Sequence, residues 1–423
     1  MSDEVTPTRH SGKHRVFLLA NITLAALTIL AGSGLLFANW KLNNRKVVTI
    51  DSVNNSSTLD LPLGDLQAKN FLITGSDNNA CIAKDSPYAG GFGVRSAFGE
   101  RSDSIMVIRV NPIDNQAAVL SFPRDMWVKQ AGSTRHGRIN TNFDKKNPNI
   151  LIRTIKENFG ISIDHYVNID FCAFKEVIDA VGGVRVPFIN KSRDTHTGFK
   201  VLKANVCYTF EGDHALAYMR SRHYQWYDPA LNKWRMDQSS DWGRIARQQD
   251  FIRRLVKKAL DKARTNPAVA TGILNAVLKN VITDDRLNPL TVLQLGQAMK
   301  NFDANTMGSY TMPGLGQLID KASVIVPDLE SDQAVKILSV FQGKASLSTT
   351  VKHTAYVASA AEFTELTSVI GTASVLRLSL SKPATTSTTT STSTTTTTTT
   401  IPSVVIEQVT KGIVPPNDPT CQF

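Results

Sequence analysis

The chain has 423 residues, enough for one large domain with appendages and too many for a single small one. Its apolar fraction of 42% and charged fraction of 20% exclude a wholly disordered or fibrous polymer. A formal net charge of +11 suits an anionic partner: phosphate, nucleic acid or an acidic membrane surface. The 4 cysteines include no CxxC pair, so neither a disulfide-dense scaffold nor a structural zinc site is expected.

Residues 1–15 form a short polar head. From Val16 to Ala38 no residue is charged, and at 1.5 Å per residue the run reaches about 35 Å, enough for a bilayer core of about 30 Å. Trp40 follows, where an indole favours the membrane interface. A cleavable signal peptide is the alternative. Its apolar core is usually only about 7–15 residues, and the exit Leu36-Phe37-Ala38-Asn39-Trp40 offers no small-x-small site. The expectation is a single uncleaved transmembrane anchor over 16–38 and a linker over 39–64.

Basic residues flank the run on both sides (Arg9, Lys13 and Arg15; Lys41, Arg45 and Lys46), so charge alone does not orient it. The short head and the position of all four cysteines (Cys81, Cys172, Cys207, Cys421) after the anchor place the body outside the cytoplasm, where disulfides persist. Three full pairings are open.

The body reads as alternating strands and helices. Residues 70–74, 105–110 and 117–122 are short apolar runs, hence buried strands, and Asn111-Pro-Ile-Asp-Asn115 makes the last two a hairpin. Residues 150–159 predict a helix stopped by Gly160, and 165–169 another strand. Residues 171–181 predict a helix with Phe174, Val177, Ile178 and Val181 on one face, stopped by Gly182-Gly183. Residues 184–188 are extended; 213–219 and 242–262 are helical. The fold class is therefore α/β, a three-layer α-β-α arrangement around a central mixed sheet.

One geometric deduction follows. Asp103 precedes the first hairpin strand and Arg124 follows the second, so both sit at one edge of the sheet. If the strand over 70–74 runs parallel to 117–122, Asp77 reaches the same edge, where open α/β sheets bind ligands. A second constellation is Arg220-Ser-Arg222, followed by Asp241-Trp-Gly-Arg244-Ile-Ala-Arg247-Gln248. Asp241 reads as the N-cap, and Arg244, Arg247 and Gln248 share a helix face beside an apolar stripe. Each arginine alone reads as easily as a solvated or ion-paired structural residue. Together, guanidinium forks match phosphate oxygens bidentately, and carboxylates are what magnesium takes from a protein while it holds phosphate.

After the body, 346–384 is an extension without clear pattern, and 385–400 is exclusively Ser and Thr, a spacer that cannot bury enough to order itself and a candidate for O-linked sugars. The last stretch, 401–423, is proline-rich, with one lone cysteine. Two readings of it stand: it folds back on the body, or it binds something else.

At these motifs the chain resembles the LytR–CpsA–Psr family of membrane-anchored phosphotransferases. The likeness covers about 65–345. It is carried in order by Phe71-Leu-Ile-Thr-Gly-Ser-Asp77, Arg101-Ser-Asp-Ser104, Ser121-Phe-Pro-Arg-Asp125, Arg138-Ile-Asn140, Asp179-Ala-Val-Gly-Gly-Val184, Gly212 to Arg222, and Asp241 to Gln249. The resemblance, in its actinobacterial variety, implies transfer of a glycopolymer from a polyprenyl-pyrophosphate carrier to a peptidoglycan hydroxyl, with a phosphodiester product. It implies Asp77 and Asp103 as Mg²⁺ ligands. Catalytic roles fall to those two with Arg124, Arg220, Arg222 and Arg244; Arg101, Asp125, Arg138, Arg247 and Gln248 belong to substrate binding. It also implies a lipid groove between sheet and helices. Where many members carry lysine, this chain has Arg138, and an insert over 223–240 brings Trp226 and Trp234, either to stack on sugars or to pack on the surface.

The expected partners are the lipid-linked glycan, peptidoglycan and the membrane. The rival readings are a regulator and a non-catalytic glycolipid-binding scaffold. A 15-residue head is too short for a DNA-reading module, and no basic stripe is interleaved with aromatics, so nucleic acid is not expected.

Overall fold

The computed structural model describes residues 46–51, 67–77, 81–82, 85–88, 102–265, 281–287, 289–347 and 402–421. The expected anchor over 16–38, the Ser/Thr stretch over 385–400 and Arg101 lie outside the described residues. Among the described residues, no helix is long and apolar enough to cross a membrane.

Seven strands make the central sheet: β1 (Val47–Val48), β2 (Lys69–Ser76), β3 (Ser102–Asn111), β4 (Gln116–Phe122), β5 (His165–Asp170), β6 (Ile282–Asp284) and β7 (Gly308–Thr311). Their order is β1-β6-β5-β2-β3-β4-β7. β2–β3, β3–β4 and β5–β6 are antiparallel, whereas β5–β2, β4–β7 and β1–β6 are parallel, so the sheet is mixed as expected. Asn115, at φ 52°, supplies the positive φ that turns β3 into β4.

Among the described residues, six helices accompany the sheet: α1 (Asn149–Phe159), α2 (Phe171–Ala180), α3 (Gly212–Met219), α4 (Asp241–Thr265), α5 (Pro289–Ala298) and α6 (Asp332–Phe341). Successive residues of a strand face opposite ways, and here both ways are covered. Leu72, Val107 and Leu120 pack with Ile152 and Ile155 of α1 and Ile337 and Val340 of α6. Ile73, Met106 and Val119 turn to the other face, in a cluster with Ile252, Val256 and Leu260 of α4 and Leu295 of α5. Two-sided burial is why these strands read as continuous apolar runs rather than as alternating ones.

A second core joins α2, α3 and α4 to the antiparallel pair 184–188 and 206–210. It is largely aromatic: Phe210 stacks on Tyr218 at 4.9 Å and meets Phe251 edge-on at 6.0 Å. Asp170 caps α2, its Oδ1 accepting from the Ala173 N–H at 2.8 Å. Gly183, at φ +75°, closes the turn after that helix; a Cβ there would lie 2.7 Å from the Phe210 carbonyl oxygen.

The C-terminal segment folds back on the body. Ser403–Val404 pairs with Ser346–Leu347, Ile406 enters the core, and Cys421 is bonded to Cys207. The second disulfide joins Cys81 to Cys172 on α2, so the structure selects one of the three possible pairings. The insert over 223–240 is a hairpin, Gln225–Asp228 with Lys233–Met236. The Arg193 guanidinium lies 4.0 Å from the Trp234 ring centroid and that of Arg235 lies 5.7 Å from Trp226, which is surface packing.

Candidate active site

β2 and β4 both run antiparallel to β3, so the ends of β2 and β4 and the start of β3 share one edge of the sheet. That topology brings Asp77, Asp103 and Arg124 to the same edge, as the hairpin geometry requires. β5 is parallel to β2, with Asp170 opposite Ser76, so it delivers a further carboxylate there.

A cavity of about 350 Å³ opens at this edge. Its depth is apolar: Ile73, Met106 and Ile108 from the sheet, Phe171 and Phe174 from α2, Leu216 and Met219 from α3, Ile252 and Leu255 from α4. Its mouth is polar, with Asp77, Asp103, Asp170, Arg220, Arg222, Arg244 and Gln248. The α4 helix does both jobs, because residues three, four and seven apart share a face: Arg244 and Gln248 at its start, Ile252 and Leu255 a turn or two later.

The charged side chains form a continuous chain of ion pairs. Arg138 Nε is 3.2 Å from Asp125, and Arg124 Nε is 3.4 Å from the other Asp125 oxygen. Arg124 Nη1 donates to Asp103 at 2.7 Å. Arg222 Nη2 lies 3.5 Å from the second Asp103 oxygen, and its Nε lies 3.0 Å from Asp241. Arg244 lies 2.9 Å from the same Asp241 oxygen and donates to the Asp103 carbonyl at 2.8 Å. Asp241 is the first residue of α4, one position inside the expected cap, and its carboxylate sits between two guanidinium groups.

This arrangement sets protonation. Burial opposes the charged form of Asp103, but Arg244, Arg222 and Arg124 outweigh it and hold the carboxyl down to about 2. Arg222 is pushed down to about 10, by burial first and then by repulsion from Arg244, against the pull of Asp241 and Asp103.

The expected residues divide into three groups. Asp77, Asp103, Arg220, Arg222, Arg244 and Gln248 line one cavity. Arg124, Asp125 and Arg138 stand beside it, joined through Asp103, and Arg138 is tied to the Ser323 carbonyl at 3.0 Å. Arg247 is a correction: it is fully buried behind the cavity, paired with Asp237 at 2.7 Å and donating to the Ser221 and Ile413 carbonyls. Its guanidinium ties down the Ser221 carbonyl, between Arg220 and Arg222, and does not line the cavity. Trp226 and Trp234 do not line the cavity.

Sequence reasoning missed several lining residues. Asp170 had a signal, since it ends a strand and caps the next helix. Ser104, Phe171, His196, Thr197 and His223 had none that spacing reveals, because the fold alone brings them to the cavity. Phe171 lies 5.0 Å from the Arg220 guanidinium, face on.

The model of the LytR_cpsA_psr family matches residues 39–339. A curated relative from Bacillus anthracis, the polyisoprenyl-teichoic acid–peptidoglycan teichoic acid transferase TagU, is 31% identical over 203 residues. That alignment covers 48% of this chain and 59% of the relative, so the chain spans under two thirds of the curated relative it matches. Among solved structures, a LytR-Csp2A-Psr enzyme from Actinomyces oris superposes with TM-score 0.52 and 20% identity, covering 70% of this chain and 96% of that one. Bacillus subtilis TagV superposes with TM-score 0.51 and 23% identity, covering 66% and 99%. At these identities the superpositions establish the shared fold.

Proposed function

The chain belongs to the LytR_cpsA_psr family, and from that premise we propose that it transfers a glycopolymer from a polyprenyl-pyrophosphate carrier to a hydroxyl of peptidoglycan. The observation that carries the reading is one cavity with two chemistries: an apolar depth between sheet and helices, and a mouth where Arg220, Arg222 and Arg244 face Asp77 and Asp103. The polyprenyl chain lies in the depth and the pyrophosphate at the mouth.

In the reaction, the acceptor oxygen attacks the phosphorus bonded to the sugar. The bond from that phosphorus to the bridging oxygen breaks, polyprenyl phosphate leaves, and a phosphodiester remains. Charge on the leaving phosphate is met by guanidinium groups already fixed by Asp103 and Asp241, so little reorganisation is needed as it develops. Asp103, held near 2 by its arginines, is too weak a base to take the acceptor proton, which passes to water at the mouth.

The oxygen-only donors Asp77 and Asp103 suit a magnesium ion, which takes one or two carboxylates and completes its shell with phosphate and water. When bound, it neutralises charge on the pyrophosphate. Residues 16–38 anchor the chain as a single membrane pass, with the body outside the cytoplasm beside the membrane and the wall.

Purified full-length chain in detergent, given Mg²⁺, a polyprenyl-pyrophosphate glycan and a peptidoglycan fragment, is expected to form the phosphodiester product, and Asp103→Asn to abolish it. Tight binding of the lipid by wild type without any transfer or pyrophosphate cleavage overturns the enzyme reading in favour of a scaffold.

A further inference from the structure

On one wall of the same cavity stands a group of side chains that the transfer reaction does not use. Asp194, His196 and His223 each offer a ligand atom, and these atoms lie within 4.8 Å of one another. His196 and His223 line the cavity, and their rings stack with centroids 4.0 Å apart.

Asp194 is the unusual member. It is fully buried, and its oxygens hold the two histidine-bearing loops: Oδ1 accepts from the His196 N–H at 2.8 Å, and Oδ2 accepts from the His223 N–H at 2.9 Å and from Ser221 Oγ at 2.8 Å. A buried carboxylate is normally neutralised by a cation. Among the described residues, the only ion-pair partner of Asp194 is the His196 imidazole, Nδ1 at 3.6 Å, which is charged only when protonated. Arg222 and Arg244 are committed to Asp103 and Asp241. Asp194 is thus a buried carboxylate beneath two imidazoles, with no lysine or arginine paired to it among the described residues.

The geometry points to a second cation site, in which Asp194, His196 and His223 bind a zinc-class divalent ion at the cavity mouth, separate from the carboxylates Asp77 and Asp103. Two imidazoles and one carboxylate are a zinc donor set, whereas magnesium prefers oxygen alone. Zinc–ligand bonds of about 2.0–2.2 Å require the donors to draw closer than 4.8 Å. The His196 side chain is 65% exposed and His223 is also exposed, so solvent rather than core packing surrounds the two rings, whereas Asp194 is enclosed. Three protein ligands leave a fourth position for water or an oxygen of whatever occupies the cavity. The site stands independently of the proposed transfer reaction, because metal content reads it directly.

The test uses full-length chain without a histidine tag, stripped with EDTA, dialysed against zinc chloride and counted by inductively coupled plasma mass spectrometry. Wild type is expected to retain one zinc per chain, in the presence of excess Mg²⁺. His196→Ala and His223→Ala, whose side chains are too exposed to carry the fold, are each expected to weaken zinc binding at least about 100-fold, since even outer partners of a metal ligand cost 10–100-fold. Asp103→Asn is expected to keep it. No zinc on wild type, wild-type zinc on either histidine variant, or loss of zinc only in Asp103→Asn overturns the assignment.

Discussion

Replacing Arg247 by methionine removes a charge from the interior while nearly keeping the volume. The arginine is fully buried, its Nη1 lies 2.7 Å from Asp237 Oδ2, and the Asp237 side chain is 4% exposed. Its other bonds reach the Ser221 carbonyl at 2.9 Å and the Ile413 carbonyl at 3.1 Å, and the Tyr224 ring centroid is 4.6 Å from the guanidinium carbon. After the change, Asp237 keeps the Ile413 N–H at 3.2 Å and its Ser239 contacts but has no cation. Breaking a buried pair from one side costs about 3–5 kcal/mol. Asp237→Asn leaves the opposite charge stranded and costs a similar amount. In the double variant Arg247→Met/Asp237→Asn neither charge is stranded, so its loss is expected to fall short of the sum of the singles by about 2–3 kcal/mol. Urea unfolding of the full chain followed by far-ultraviolet circular dichroism reads all three. A loss below about 1 kcal/mol for Arg247→Met, with strict additivity in the double variant, refutes a buried structural role for this arginine.

Arg124→Ala is expected to lower the transfer rate by about 10²–10³, since it removes a charge held at the phosphate site, while its half-exposed pair with Asp103 makes the loss of stability small. Asp103 gives a pH signature: its folded pKa, about 2, lies below the unfolded value near 4, so its stabilisation is present above about pH 4 and is lost as pH falls through 2. Wild type is expected to lose about 1–2 kcal/mol more than Asp103→Asn over that window in urea titrations, and parallel curves contradict the pairing. Cys207 and Cys421 are 214 residues apart, and a cross-link of that span constrains the unfolded chain by at most about 5 kcal/mol. Cys421→Ser is expected to lower the melting temperature and expose the C-terminal segment to protease; an unchanged melting temperature contradicts its role as a strap. Gly183→Ala is expected to destabilise the chain in the same assay, because the residue sits at φ +75° against the Phe210 carbonyl.

The central strands and the helices beside them were legible because their signals are local. Apolar runs, Asn111–Asn115 turn chemistry and the glycines after α1 and α2 each specify an element without reference to the rest. The edge that gathers Asp77, Asp103 and Arg124 was legible too, because antiparallel pairing fixes which strand ends coincide. What sequence did not carry is depth. Arg244 and Arg247 look alike on a helical wheel, yet a difference of three residues turns one to the cavity and the other to Asp237, and Asp237 gives no hint of that partnership before the chain folds. The return of Ile413 and Cys421 to the body is non-local in the same way, since 214 residues separate the two cysteines. The histidines at the mouth reached it through loops tied by Asp194, a buried contact that no spacing announces.

The central claim is that one cavity holds a polyprenyl chain in its depth and a pyrophosphate at its arginine-lined mouth. Native mass spectrometry of the full chain extracted from its own membranes tests it directly. Wild type is expected to carry a polyprenyl phosphate or pyrophosphate adduct, and the variant Arg222→Ala/Arg244→Ala to lose it while remaining folded. Wild type free of any such lipid, or a double variant that retains it undiminished, contradicts the claim.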